Sequence, residues 1–288
     1  MQDVIAKNNF GFLPSEARAK WRWTSAALLS GVSLAILWIL RDRFAFNYYD
    51  EGVIAYGAQR LLQGDVPYRD FWVLYPPGQF LAIAALFKLF GSSLIVERAW
   101  DIALRAAIAS LGYLITARLA PRRYALLTWA MSLLWLQAIR FYGYPLIPAL
   151  LLTLVSIAFF IGFLQSRAIV RNLFMAGLFI GVLVAFRHDI ASYVFLAEGL
   201  AIFGVFRVER RATRPGAIRW RNLLTAGTTL CAGIAVGFLP VLVYLLASVT
   251  LADLLEQLIV FPATVYPVVR SLPYPSILHD SFRTAFPY

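Results

Sequence analysis

Residues 145–165 read Pro-Leu-Ile-Pro-Ala-Leu-Leu-Leu-Thr-Leu-Val-Ser-Ile-Ala-Phe-Phe-Ile-Gly-Phe-Leu-Gln, a run without a single charge. A helix needs about 20 consecutive apolar residues to cross the hydrocarbon core of a bilayer. Working outward, comparable runs recur at 24–40, 95–117, 124–139, 172–186, 190–206 and 222–247, which makes seven spans in all. The composition agrees. The chain is 61% hydrophobic and 14% charged, where a water-soluble domain carries about 25% charged residues. The expected fold is an all-α polytopic transmembrane helical bundle, one membrane-embedded domain over residues 1–288. No repeat of fixed period and no low-complexity linker divides it.

The first run does not read as a signal peptide, because a polar segment precedes it and no small-residue cleavage site follows. The chain closes on Phe286-Pro287-Tyr288 with no terminal helix. That reads as an interruption, with further spans expected beyond it. Cys231, the only cysteine, excludes an intrachain disulfide framework and a zinc–thiolate cluster.

The net charge of +11 does not point to nucleic acid, because the basic residues collect in short loops. Lys7, Arg18, Lys20 and Arg22 precede the first span, and Arg118, Arg122 and Arg123 join the second to the third. Arg167 and Arg171 join the fourth to the fifth. Arg207, Arg210, Arg211, Arg214, Arg219 and Arg221 join the sixth to the seventh. Simple alternation puts all four groups on one side, which the positive-inside rule makes the cytoplasm. The expected location is a bacterial inner (plasma) membrane with the N-terminus cytoplasmic. Residues 41–94, the turn 140–144, the turn Arg187-His188-Asp189 and the segment after about 248 then face the outer compartment. The run 78–90 is too short to cross comfortably, and crossing there would invert every later loop. It reads as an interfacial or re-entrant helix with Lys88 reaching toward head groups.

The first outer loop concentrates the polar chemistry. Asp50 and Glu51 open a stretch in which Ile54, Ala58, Leu61 and Leu62 keep helical spacing, so one face is apolar. Gly64 suits the C-terminal stop of that helix, and the acidic pair suits the positive end of its dipole. Then come Gly64-Asp65-Val66-Pro67-Tyr68-Arg69-Asp70-Phe71-Trp72 and Tyr75-Pro76-Pro77-Gly78. Prolines and glycines set the turns, while Tyr68, Trp72 and Tyr75 suit a membrane interface. Residues 251–261 read as another interfacial helix with Asp253 and Glu256 on its wet face. Glu97, Arg98, Asp101 and Arg105 lie at the outer end of the second span, where i,i+4 spacing makes Glu97–Asp101 and Asp101–Arg105 neighbours. A structural ion-pair network is the reading for these four. Glu198 lies mid-span and is expected to face the bundle.

The order of these pieces resembles the GT-C membrane glycosyltransferases. Asp-Glu after the first span, an amphipathic helix, Gly-Asp-x-Pro-Tyr, Pro-Pro-Gly, then Leu89, Phe90 and Gly91 with the later Arg98 look like the glycosyltransferase family 39-like proteins. These include the aminoarabinose transferases that modify lipid A and, more distantly, protein O-mannosyltransferases. The resemblance covers 44–123 by motif and the rest by topology.

It implies an inverting enzyme that moves a sugar from a polyprenyl-phosphate donor to a hydroxyl of a lipid, glycan or protein acceptor on the outer (periplasmic) face. Asp50 is then the base or acceptor-orienting group, and Glu51 its support. A divalent metal ion on Asp50 and Glu51 is the one cofactor this reading admits. Read from the residues alone, Asp50 is equally a helix cap beside a solvated Glu51. Two positions depart from the family. Leu74 and Tyr75 stand where many members carry a charged pair, and the turn Arg140-Phe141-Tyr142-Gly143-Tyr144-Pro145 lacks the acid that aminoarabinose-type relatives carry.

Arg187, His188 and Asp189 are candidate substrate-binding residues, Arg187 for phosphate and Asp189 as the missing second carboxylate, or else an internal salt bridge in a short turn. Arg270, with Tyr68 and Tyr75, completes the candidate substrate contacts, an ordinary aromatic belt being the other reading. Two other functions share this topology: a transporter or flippase of lipid-linked sugars, and a non-catalytic assembly subunit. The first expects charges near the bilayer midplane and broken helices in two related halves.

Overall fold

The computed structural model describes residues 16–41, 51–139, 142–165, 168–212 and 220–269. Asp50, Arg140, Arg270 and His279 lie outside the described residues. The described chain is helical with no named strand, as a bilayer core demands of a chain whose backbone groups have no water to bond. The seven expected spans fall on seven helices. These are α1 (Glu16–Leu40), α4 (Leu94–Leu119), α5 (Arg122–Ala138), α6 (Leu146–Leu164), α7 (Ile169–Val184), α8 (His188–Ala212) and α9 (Trp220–Ser248). Between the first two spans lie α2 (Val53–Leu62) and α3 (Gly78–Phe90). After α9 come α10 (Leu251–Leu255), a π-helical turn (Glu256–Val260) and α11 (Phe261–Val269).

Five helices are long and apolar enough to cross a membrane: α1, α4, α6, α8 and α9. The protein is therefore of the integral-membrane class. The other two expected spans are shorter. Helix α7 has 16 residues and α5 has 17, so each reaches only about 24–26 Å along its axis.

Helix α4 packs against α1, α5 and α6, and α7 packs against α6, α8 and α9. Helix α6 belongs to both groups and joins them into one bundle. The α7–α9 contact is built from bare backbone. A Cβ at Gly177 would lie 2.1 Å from the Leu230 carbonyl oxygen, and one at Gly181 would lie 2.2 Å from that of Ile234. Reciprocally, a Cβ at Gly233 would lie 2.2 Å from the Phe174 oxygen, and one at Gly237 would lie 2.1 Å from that of Leu178. Partners advance together along both helices, so α7 and α9 run parallel, as alternating spans must. Small residues four apart let two helices approach where lipid leaves no hydrophobic drive between them.

The alternation has two further anchors. At one end the Arg122 guanidinium sits 4.0 Å over the Trp21 ring, so α1 and α5 begin together. At the other end the Tyr142 hydroxyl donates to the Arg41 carbonyl at 3.4 Å, joining the end of α1 to the turn before α6. Arg118, Arg122, Arg123, Arg171 and Arg207 belong to connections at the first of these ends.

Helix α3 does not cross. Its first amide, Gly78 N–H, donates to Ala185 O at 2.7 Å, at the turn after α7. Its last residue, Phe90, is followed within a few residues by α4. Both ends of a 13-residue helix are thus held at one end of the bundle. Phe80, Ile83, Ala84 and Phe87 face inward and pack with Ile54 and Ala58 of α2. Leu61 is half-buried, while Leu62 turns outward, so the apolar stripe of α2 is narrower than its sequence spacing suggests. Gly64 ends α2 with φ +98°, a conformation open to glycine at little cost. Asp253 and Glu256 are exposed.

Candidate functional site

The tip of the first loop is built by local turn chemistry. The Val66 N–H donates to Asp70 Oδ2 at 2.7 Å, and Arg60 Nε donates to Asp65 Oδ2 at 2.6 Å. The Arg69 guanidinium, with the Val66 amide, holds the Asp70 carboxyl below the usual carboxylate range. Tyr68 sits at φ +70°, an unusual conformation for a residue with a side chain. Burial holds it there and pushes its phenol up. Its hydroxyl donates to the Tyr75 carbonyl at 2.8 Å, while its own carbonyl accepts from Gln257 Nε2 at 2.7 Å. Trp72 meets Phe261 edge-on with ring centroids 5.4 Å apart. The helices after α9 therefore strap down the first loop.

Three connections at one end of the bundle converge on Tyr75. Its hydroxyl lies 2.7 Å from that of Tyr144, and the Arg187 guanidinium stacks 4.7 Å over its ring. Arg187 is bound to Asp189 by two bonds, Nε to Oδ1 at 2.9 Å and Nη2 to Oδ2 at 2.6 Å. These bonds hold the guanidinium firmly protonated. The internal salt bridge of this turn is thus formed. His188, between the two, has a buried Nδ1 without a hydrogen-bond partner among the described residues.

Beside this junction lies a buried charge cluster. Glu51 is 1% exposed and is gripped by Arg98, with Nε 2.5 Å from Oε1 and Nη2 3.0 Å from Oε2. Asp101 pairs with Arg105, whose Nη1 also donates to the Leu136 and Ile139 carbonyls at the end of α5. Arg98 and Arg105 both lie over the Tyr142 ring, at 5.0 and 5.3 Å. Gln79 of α3 donates to the Gly143 carbonyl at 2.8 Å. Glu97 is fully buried and neither of its oxygens has a hydrogen-bond partner among the described residues.

The sequence-predicted residues are therefore partly assembled. Tyr75, Arg187 and Asp189 are in one place, Tyr68 is tied to them through the Tyr75 carbonyl, and Glu51 is in the neighbouring cluster. Asp50 and Arg270 are among the undescribed residues. Glu51 was expected beside solvent or a metal. It is instead buried with both oxygens on Arg98, because an unpaired carboxylate at this depth would be costly. Among the described residues no group of three or more His, Cys, Asp or Glu side chains can hold a metal ion.

Sequence reading missed Gln79, which looked like one polar residue in an apolar run, and the approach of Gly143 to Glu97. The ion-pair network on α4 is present through Asp101–Arg105, while Arg98 reaches off its own helix. Glu198 does face the bundle, accepting from Ser156 at 2.8 Å.

The fold and this cluster define a polytopic helical membrane protein with a polar, buried site at one end of the bundle. No protein-family model, curated protein or solved structure matches the chain.

Proposed function

We propose that this protein is a GT-C-type glycosyltransferase that transfers a sugar from a polyprenyl-phosphate donor to an acceptor hydroxyl at the outer membrane boundary. The observation that carries the reading is the Arg98–Glu51 clamp. Among the motifs that carry the resemblance are two separate segments, the acidic pair and the stretch running from Leu89-Phe90-Gly91 to Arg98. The clamp bonds one to the other across 47 residues of chain.

In this reading Glu51 is an anchor. Held by Arg98, it fixes the start of the first-loop helix and so the backbone that leads to Asp50. Asp50 draws the proton from the acceptor hydroxyl. The freed oxygen attacks the anomeric carbon, the bond from that carbon to the phosphate oxygen breaks, and the phosphate leaves with the electron pair. Arg187 keeps Nη1 beyond its two bonds to Asp189, and its fixed charge offsets the charge gathering on the phosphate. Water must be kept from the donor, and the strap of α10 and α11 over the first loop suits that task.

Asp50→Asn tests the assignment. It should abolish transfer from a supplied lipid-phosphate sugar while the protein still accumulates in membranes, and retained turnover refutes the base role. A second reading, a non-catalytic subunit, is favoured by one observation. The Tyr75–Tyr144 contact fills with uncharged groups the two positions where relatives of the resembled family carry charge. Wild-type protein with no transferase activity toward any lipid-phosphate sugar, yet with bound carrier lipid, would decide for that reading.

A further inference from the structure

The buried cluster at the end of α4 is short of hydrogen-bond donors. Three carboxyl groups, Glu51, Glu97 and Asp101, face two guanidinium groups, Arg98 and Arg105. The guanidiniums are committed, Arg98 to Glu51 with two bonds and Arg105 to Asp101 and to two carbonyls of α5 and its end. Glu97 remains, fully buried, with both oxygens unpartnered among the described residues. The second orphan is Gln79 Oε1, also buried and unpartnered, while the Nε2 of the same amide bonds the Gly143 carbonyl.

Both side chains meet one residue, Gly143, Gln79 through its Nε2 and Glu97 through its carboxyl. Gly143, at φ +72°, presents a bare Cα against the Glu97 carboxyl, and a Cβ there would fall 1.9 Å from Oε1. The same point lies 3.6 Å from the Glu51 Cα. The unsatisfied atoms of Glu97 and Gln79 are all acceptors, with no donor facing them among the described residues. An isolated buried carboxylate costs far more than a neutral acid.

We propose that Glu97 is a proton-binding site, a carboxylic acid that keeps its proton while the turn 142–145 is closed on α4. The groups that face it are Arg98 and Asp101 from α4, Glu51 from the first loop and the Gly143 backbone from the turn, with Arg105 behind Asp101, Tyr142 against the two guanidiniums and Gln79 of α3 bonded to the same Gly143. Ionising Glu97 would set a second carboxylate competing with Glu51 for Arg98. The proton is thus the condition for the two-bond Arg98–Glu51 clamp, and its loss loosens the start of the first loop. This inference does not depend on glycosyl transfer.

Infrared difference spectroscopy of the full chain in nanodiscs tests it directly. An ordinary glutamate ionises near pH 4.3 and would show no protonated-carboxyl band at about pH 7. The wild type should show such a band, shifted in heavy water and absent from Glu97→Gln. Glu198→Gln, recorded alongside, separates the band of the other buried glutamate. Identical wild-type and Glu97→Gln spectra in this region would overturn the proposal. So would loss of the band on adding sodium ions, which would make a metal cation the occupant. Failure of Glu97→Gln to fold would overturn it too, because an amide should replace a neutral acid without loss.

Discussion

The phenolic oxygens of Tyr75 and Tyr144 lie 2.7 Å apart, with the two rings edge-on at 88°. One residue belongs to the first loop and the other to the turn before α6, 69 positions later in the chain. Their contact, under Arg187, is where three connections at one end of the bundle lock together. Removing either hydroxyl should cost about 1 kcal/mol, the net worth of one hydrogen bond. Tyr75→Phe and Tyr144→Phe combined should cost little more than either alone, measured as a double-mutant cycle of denaturant unfolding in mixed micelles. Full additivity would mean that the hydroxyls do not interact.

Arg98 carries more. Arg98→Ala takes the guanidinium away from the buried Glu51 carboxylate and should destabilise the protein by about 3–5 kcal/mol. Adding Glu51→Gln should recover part of that loss, because the buried charge is gone. Thermal unfolding of the purified single and double variants checks both. A double variant no more stable than Arg98→Ala would show that the loss is packing.

The α7–α9 contact has no room for a side chain. Gly181→Val and Gly237→Val should each cost about 2–3 kcal/mol through overpacking. Nothing lies within 4 Å of a Cβ at Gly227 on the same α9 helix. Gly227→Ala should therefore be neutral or stabilising by up to about 1 kcal/mol. Unfolding in detergent mixtures separates the two classes.

The two ends of the bundle should face different compartments. In a Cys231→Ser background, Arg69→Cys and Arg123→Cys should react with an impermeant thiol reagent from opposite sides of sealed vesicles. The charge argument puts position 123 on the cytoplasmic side. Labelling of both from one side would break the alternation on which the topology rests.

Acid should open the tip of the first loop. Asp70 is held below its ordinary value when folded, so it stabilises the turn above the unfolded carboxyl's pKa of about 3.9. That contribution is lost as pH falls through the folded value. Proteolysis within 65–71 should rise on acidification, and Asp70→Asn should remove the pH dependence. The effect is small, since the pair is solvent-exposed.

How much of this was legible beforehand depends on the range of the physics. Helices α1 and α4 to α9 follow from apolar run length alone, and Gly64 and Pro77 mark where α2 ends and α3 begins. The failure of 78–90 to cross follows from its length. The Arg187–Asp189 bridge was legible because its partners are two residues apart. Other features had no local signal. Glu51 looked like a solvated neighbour of Asp50, since nothing in 44–64 announces that Arg98 will reach it. The spacings Gly177-x3-Gly181 and Gly233-x3-Gly237 were visible, but only their facing each other gives them meaning.

The linear chain by itself determined an all-helical membrane bundle, the alternation of its spans and the polar content of each connection. Those properties depend on the hydrophobic length of a segment and on charges counted along it. Only the tertiary structure decided that Glu51 belongs to Arg98, that Tyr75 meets Tyr144, and that Glu97 lies against Gly143 with no hydrogen-bond partner among the described residues. Pairings of that kind are set by which helix ends pack side by side, and in a dry interior each charged group takes the nearest partner in space, however far away it lies in sequence.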